Sequence, residues 1–118
     1  MDKDSLKRRT KEFAKGVIEF CRKLPNNREG RLIGDQMFRS GTSVAANYRS
    51  ACRSRSKAEF ISRLSVVEEE ADETLFWLEI IKEMNIYKDA LLDYLLEEND
   101  ELVAIFVSSI KTAKKSKE

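Results

Sequence analysis

The sequence predicts an all-α fold, an antiparallel up-and-down four-helix bundle. Charged residues make up 36% and hydrophobic residues 42% of the 118 residues, and one Pro and four Gly are present. This composition is typical of long helices. Apolar residues also recur at steps of three and four along most of the chain, as they do on one face of a helix. The breaks between these periodic segments are short, which favours antiparallel neighbours.

The first two helices are predicted over residues 5–24 and 31–53. The first helix carries apolar residues at helical spacing until Pro25, which cannot continue a helix. The stretch PNNREG is the predicted turn. The predicted core face of the second helix consists of Ile33, Met37, Gly41, Val44, Tyr48, Ala51 and Cys52.

The third helix is predicted to begin at the capping-box pair Ser56 and Glu59 and to run to about Met84, with Asn85 as its C-terminal cap. The fourth helix is predicted over residues 89–114. All four helices are predicted to belong to a single domain, 1–118, which ends in a short basic tail at about 111–118. The predicted core-facing stripe of the third helix consists of Phe60, Leu64, Val67, Ala71, Thr74, Leu78 and Ile81.

Two segments, TLFWLEII at 74–81 and LVAIFV at 102–107, carry apolar residues around most of the helix circumference. Such a helix is normally buried on more than one side, whereas each helix of a four-helix bundle keeps an outer face. We therefore expect a homo-oligomer, because the extra apolar surface needs a second subunit to cover it. The expected interface residues are Phe76, Trp77, Ile80, Val103, Phe106 and Val107.

The second helix is rich in small residues, and a stripe opposite its core face has an arginine at either end, Arg39 and Arg53. Gly disfavours a helix interior by about 1 kcal/mol relative to Ala, so packing must offset this loss. We expect the two arginines to reach carboxylates in EEEADE, residues 68–73. Close helix packing is predicted at Gly41, Ser43, Ala46 and Ser50.

The net charge of +1 conceals a strong asymmetry along the chain. Residues 1–63 hold 16 Lys and Arg against 7 Asp and Glu, residues 64–105 hold 2 against 13, and residues 106–118 hold 4 against 1. Basic residues around the second turn and in the tail could form structural ion pairs or contact phosphates. The candidate nucleic-acid-binding residues are Arg49, Arg53, Arg55, Lys57, Arg63, Lys111, Lys114, Lys115 and Lys117.

The composition argues against an enzyme. The chain has no His, which removes the commonest general base and the usual partner of nucleophilic Ser and Cys. Glu69, Asp72 and Glu73 could hold a divalent cation, but a charge run of this kind is usually a solvated or ion-paired surface. We therefore expect no catalytic residue, metal or cofactor.

The ends of the chain and its apolar runs predict a cytoplasmic protein without a membrane partner. The start, MDKDSLKRRTKEF, has charged residues where a signal peptide would have an apolar core. The longest apolar run, 102–107, is too short to span a bilayer. Cys21 and Cys52 lack a Cys-rich framework, so two small buried thiols are expected rather than a disulfide or a metal site.

Four segments, RTKEFA, RSGTSVAANYRSACRSRSKAEF, EADETLFWLE and ELVAIFVSSIKTAK, carry a family resemblance. Together they resemble the bacterial proteins encoded in intervening sequences of 23S ribosomal RNA genes, over residues 9–114. The resemblance implies an up-and-down bundle assembled as a homopentamer, with no established enzymatic activity. That family is similar in fold to the accessory variability determinant of diversity-generating retroelements, a basic pentameric barrel that binds nucleic acid and a reverse transcriptase.

These expectations lead to two hypotheses of function. The first is a non-enzymatic, oligomeric protein that binds the backbone of RNA or DNA through basic patches repeated around a symmetric ring. The second is a homo-oligomeric protein-interaction scaffold without nucleic-acid contact, whose arginines form ion pairs. A reverse transcriptase is a candidate partner by analogy, since fold alone does not fix function.

Overall fold

A computed structural model describes residues 1–116, which form a bundle of four α-helices about 50 × 20 × 20 Å in extent. This part of the chain contains no β-strand, so the all-α prediction is confirmed. The helices span Lys3–Cys21 (α1), Arg28–Ala51 (α2), Lys57–Glu83 (α3) and Ala90–Lys115 (α4).

Each helix begins where a polar side chain accepts a hydrogen bond from a backbone N–H three residues later. Such caps satisfy one of the four N–H groups that lack a partner at a helix start. The caps also show that α1 and α2 each begin earlier than the apolar spacing predicted, at Lys3 and Arg28 instead of residues 5 and 31. At the far end of α3, Asn85 has a φ of 53°, the left-handed conformation expected of a C-terminal cap. The four N-terminal capping residues are Asp2, Asn27, Ser56 and Asp89.

The core runs between the four helices and confirms most of the predicted apolar faces. The α3 stripe is buried from Leu64 to Ile81, and Phe60 at its start is half-buried. On α2, the predicted core residues are buried except Ile33 and Cys52, which are half-buried. The largest fully buried side chains include Phe13, Phe20, Met37, Leu64, Leu78, Leu92, Leu102 and Phe106.

Buried polar side chains link α3 to both of its neighbours. The hydroxyl oxygens of Ser40 and Thr74 lie 2.8 Å apart between α2 and α3. Asn99 of α4 is fully buried; its amide donates to the carbonyl of Ala71 (3.0 Å) and accepts from the N–H of Leu75 (2.9 Å). A polar group buried without a partner is costly, so these contacts specify which helices pack together.

An ion-pair cluster joins α1 to α4. The guanidinium of Arg9 binds both carboxylate oxygens of Glu98 at 2.7 Å and Glu101 at 2.9 Å. The Glu98 side chain is only 10% exposed, so its charge depends on this bidentate partner. The carboxylates raise the pKa of Arg9 above its already high usual value.

Contacts between neighbouring helices have a consistent register. Along α1 and α4, Arg9 contacts Glu98 and Lys23 contacts Asp89, so the residue number falls on α4 as it rises on α1. Along α2 and α3, Ser40 meets Thr74 and Ser50 meets Arg63, in the same sense. Each helix contacts the next along the chain, and α4 contacts α1.

The helices α1 and α2 approach each other closely at Gly41. A Cβ atom at this position would lie 2.7 Å from Cγ1 of Val17 and 2.9 Å from its Cγ2. Both distances are well inside ordinary van der Waals contact, so only glycine fits here without a shift of Val17.

We expect Gly41→Leu to destabilise the fold by about 1 to 3 kcal/mol, because the added side chain overpacks the contact with Val17. Ala46→Leu is the matched control on the same helix; since Ala46 is exposed, its effect should stay within about 0.5 kcal/mol. Urea denaturation followed by circular dichroism measures both. Equal stability of Gly41→Leu and wild type would contradict the close contact.

Candidate nucleic-acid interface

A basic groove runs between α1 and α2. It is a cleft of about 490 Å³ whose floor consists of Ala45, Ala46 and Cys52. Its walls carry five exposed cationic side chains, and no carboxylate of residues 1–116 lines it. Such a site is electropositive and open, and it suits a phosphate chain. The five cations of the basic groove are Lys7, Arg8 and Lys11 from α1 and Arg49 and Arg53 from α2.

The cations of the basic groove are largely without partners. Lys7 lies 3.4 Å from the exposed carboxylate of Asp4, and Arg8 donates to the hydroxyl of Ser5 at 3.3 Å. Lys11, Arg49 and Arg53 form no ion pair within residues 1–116, and neither does Arg8. Ligand phosphates therefore need not displace carboxylates of residues 1–116 from these four side chains.

The sequence identified two of the five cations of the basic groove. It singled out Arg49 and Arg53 but missed Lys7, Arg8 and Lys11. The contact of Gly41 with Val17 places the start of α1 beside the end of α2, and this proximity brings the two sets together. The pairing of the two helices, together with the spacing of Lys7 and Lys11 by one turn on the outer face of α1, could have revealed it.

Two other predicted basic residues lie at a second cleft, of about 390 Å³. Arg55 and Lys57 line this cleft, and the ammonium of Lys57 donates to the backbone carbonyl of Ser116. Lys111, Lys114 and Lys115 are exposed on the last turns of α4, whereas Lys117 lies outside the described residues.

Two arginines are engaged in contacts within the chain. Arg63 donates to the carbonyl and hydroxyl oxygens of Ser50 at 2.9 and 3.0 Å and pairs with Glu59 at 3.0 Å. Arg39 binds Glu70 and Glu73, which confirms the predicted contact with the acidic run. The same prediction for Arg53 is wrong, because Arg53 lies in the basic groove without an acidic partner in residues 1–116.

A second surface of the bundle is acidic. Exposed carboxylates on α3 and α4 form no ion pair in the described chain, and the bundle therefore has faces of opposite sign. No group of three Cys, Asp or Glu residues within residues 1–116 is arranged to hold a metal ion. The unpaired carboxylates are Glu69, Asp72, Glu79, Glu83, Asp93, Glu97 and Asp100.

The family model of the 23S rRNA-intervening sequence protein matches residues 4–108, which is most of the chain. The chain belongs to this family. It is also similar to a crystal structure from Bacteroides thetaiotaomicron, a protein of unknown function from the S23 ribosomal protein family. That similarity has a TM-score of 0.85 and 30% sequence identity, and it covers 94% of this chain and 99% of the other. No protein of curated function matches the chain.

Among the predicted interface residues of this intervening-sequence family member, Phe76 is the most exposed, at 50%. Its ring packs edge-on against Trp77, with the centroids 4.9 Å apart. Trp77, Ile80, Val103 and Val107 are half-buried. An apolar area on α3 therefore remains partly open.

The assignment of Phe106 to the oligomer surface is wrong. Its side chain is fully enclosed by its own chain, with its ring centroid 6.0 Å from that of Tyr48. Phe106 lies one turn beyond the buried Leu102, so both face the core. Ser43 and Ser50 are half-buried, and Ala46, on the floor of the basic groove, is exposed, so no helix of this chain packs closely on Ala46.

No helix in residues 1–116 combines the length and the apolar character needed to cross a membrane.

Both cysteine thiols are free and half-buried. Burial raises the pKa of the Cys21 thiol to about 11, so this thiol stays protonated near neutral pH.

The indole N–H of Trp77 donates to Glu73 at 3.2 Å, and the hydrogen bond from Arg39 holds the pKa of Glu73 below its usual 4.5. The stabilisation from this carboxylate is therefore complete above pH 4.5 and is lost as the pH falls through the lowered pKa. We expect the fluorescence of Trp77 to titrate with a midpoint below 4.5, and Arg39→Gln should move that midpoint upward.

Glu79→Gln, on the same helix but without an ion pair in the described chain, is the control and should leave the midpoint unchanged. A wild-type midpoint at or above 4.5 would contradict the proposed link between Arg39 and Glu73.

Proposed function

We propose that this protein is a non-enzymatic, oligomeric nucleic-acid-binding protein, with RNA as the first candidate ligand and the phosphate backbone as the part contacted. The observation that carries the proposal is the basic groove, in which five cations converge and no carboxylate takes part. Backbone phosphates are the general target of such cations, whereas sequence recognition needs contacts with base edges. The proposed ligand is therefore bound with little sequence preference.

The strength of such binding depends on salt, because each phosphate contact releases condensed counterions. For a single strand the slope of log K against log salt is about −0.7 for each phosphate neutralised, so five contacts give about −3.5. One basic groove alone is a weak site, since its cations are exposed and screened by salt. Repetition of the groove in one assembly would raise the effective concentration of sites and strengthen binding.

We propose that the chain forms an antiparallel up-and-down bundle that assembles as a homo-oligomer, a pentamer if the family resemblance holds, and that it acts in the bacterial cytoplasm. The register of the interhelical contacts supports the topology. The half-exposed Phe76, with half-buried Trp77 and Ile80 beside it on the same helix, supports an assembly, because subunit contact would bury this apolar area.

A protein-interaction scaffold is the second candidate function, and the engagement of Arg39, Lys57 and Arg63 within the chain favours it. In this alternative the basic groove receives an acidic protein surface, such as that of a reverse transcriptase. Binding of RNA separates the two candidates, since a pure scaffold binds none.

We expect the double variant Arg49→Glu, Arg53→Glu to weaken binding of a structured RNA by at least about tenfold, because loss and reversal of two charges change several phosphate contacts. Fluorescence anisotropy at low and moderate salt measures the affinity. The matched control is Arg28→Glu, Arg31→Glu, the same charge change at the other end of α2, and it should retain most of the affinity.

An equal loss in both double variants would assign binding to overall charge and not to the basic groove. No binding by wild type at micromolar concentration would leave the scaffold as the function.

Light scattering should give a mass several times the 13.7 kDa of one chain. Phe76→Glu should reduce that mass, because it places a charge in the proposed interface. Phe38→Glu, which changes an aromatic residue of similar exposure on α2, is the control. A stable 13.7 kDa species in wild type would exclude the oligomer and its multivalency.

A further inference from the structure

We propose that Tyr94 is a stacking platform for an unpaired base, so that the ligand of this protein is single-stranded nucleic acid. The proposal rests on the proposed function, because the phosphates of the same strand are assigned to the basic groove. Beyond the proposed function, it specifies that the nucleic acid is single-stranded and that Tyr94 recognises it. The sequence did not single out this residue, because Tyr94 belongs neither to the predicted basic residues nor to the predicted apolar interface.

Tyr94 lies in a cleft between α1 and α4, of about 550 Å³, which we call the tyrosine cleft. It is 48% exposed, and its hydroxyl forms no hydrogen bond within residues 1–116. The ring is therefore held at one side while much of it stays available to a ligand. Every other residue that lines this cleft is charged: Arg8, Arg9, Lys11, Glu12, Lys15 and Glu98.

The two carboxylates of the tyrosine cleft already have cationic partners. Arg9 binds Glu98 in the bidentate pair, and Lys15 lies 3.3 Å from Glu12. Arg8 and Lys11 remain without ion pairs in the described chain. Burial raises the pKa of the Tyr94 phenol, so the ring carries no negative charge to repel a phosphate near neutral pH.

Arg8 and Lys11 line both the tyrosine cleft and the basic groove. The two clefts therefore lie side by side on the outer face of α1, with Arg8 and Lys11 at their shared border. A helix is about 10 Å wide, which a stacked strand with a rise of 3.4 Å per nucleotide crosses in about three nucleotides. One strand can thus place phosphates in the basic groove and a base against Tyr94.

The geometry favours a single strand over a duplex. In a duplex the faces of the bases are covered by their stacked neighbours, and a side chain can stack only on a base that is unpaired or displaced. The other exposed aromatic rings have different surroundings: Phe76 packs on Trp77, and Phe38 lines a cleft with Asp35 and Arg31. Tyr94 is the exposed ring that shares a cleft with the cations of the basic groove.

The test compares a labelled oligo(A) RNA of about 16 nucleotides, within the range of known single-strand sites, with the same strand paired to oligo(U). Tyr94→Ala should weaken oligo(A) binding by about fivefold or more, the low end expected for a lost base stack. Tyr94→Phe keeps the ring and should stay within about twofold of wild type. Phe38→Ala is the matched control, because the exposure of Phe38, 45%, is similar to that of Tyr94. It should also stay within about twofold of wild type, since Phe38 lines a different cleft.

Several outcomes would overturn the proposal. Unchanged oligo(A) affinity in Tyr94→Ala removes the platform but leaves the basic groove and the proposed function intact. Duplex that binds as tightly as oligo(A) removes the single-strand preference, and equal loss in Tyr94→Phe assigns the effect to the hydroxyl. Poly(Glu) serves as a probe for the acidic protein surface of the scaffold alternative. Binding of poly(Glu) without binding of any RNA overturns the proposed function together with this inference.

A direct readout of stacking uses Tyr94→Trp in a Trp77→Phe background, so that residue 94 carries the only indole. Oligo(A) should quench its fluorescence, whereas inorganic polyphosphate, which has phosphates but no bases, should bind without comparable quenching. Equal quenching by polyphosphate, or none by bound oligo(A), would overturn the stacking role.

Discussion

The close contact of Gly41 with Val17 is the constraint on which the arrangement of charges depends. It lets α1 and α2 approach closely, since a side chain at residue 41 would collide with Val17. Where the two helices meet in this way, the first turns of α1 lie beside the last turns of α2. The cations of two segments distant in sequence thereby form one groove. Glycine disfavours a helix interior, but here the close packing of Gly41 on Val17 offsets that loss. The same packing brings together the helix ends that form the basic groove.

Polar contacts between the helices add specificity to an otherwise apolar core. Apolar side chains alone tolerate several packings of similar volume, whereas Asn99 needs the backbone of Ala71 and Leu75, and Glu98 needs Arg9. A shift of one turn would leave these groups buried without partners. The same Arg9 contact prepares the tyrosine cleft, because it occupies the carboxylate that would otherwise face a ligand phosphate.

Much of the fold could be predicted from periodicity. The α3 stripe from Leu64 to Ile81 is buried as predicted, and Ser56 and Asn85 stand at the two ends of that helix. Periodicity could not distinguish core from interface in a segment that is apolar on most sides, and for this reason Phe106 was misassigned. It was also silent on Glu98 and Asn99, since a buried polar residue is recognisable only once its partner on another helix is known.

The candidate site was less predictable than the fold, because it is made by proximity across helices. The predicted basic residues do not form one cluster. Arg49 and Arg53 lie in the basic groove, Lys57 and Arg63 form contacts within the chain, and the described lysines of the tail lie at the end of α4. The cleft at this end is lined by the beginnings of α1 and α3, at Lys3 and Lys57, and by the last turns of α2 and α4, at Ala51 and Ala113. Two positive and two negative helix-dipole ends therefore meet there and largely cancel. The electric field at this end is consequently set largely by charged side chains, so exchange of individual lysines and arginines can change it without any change to the backbone.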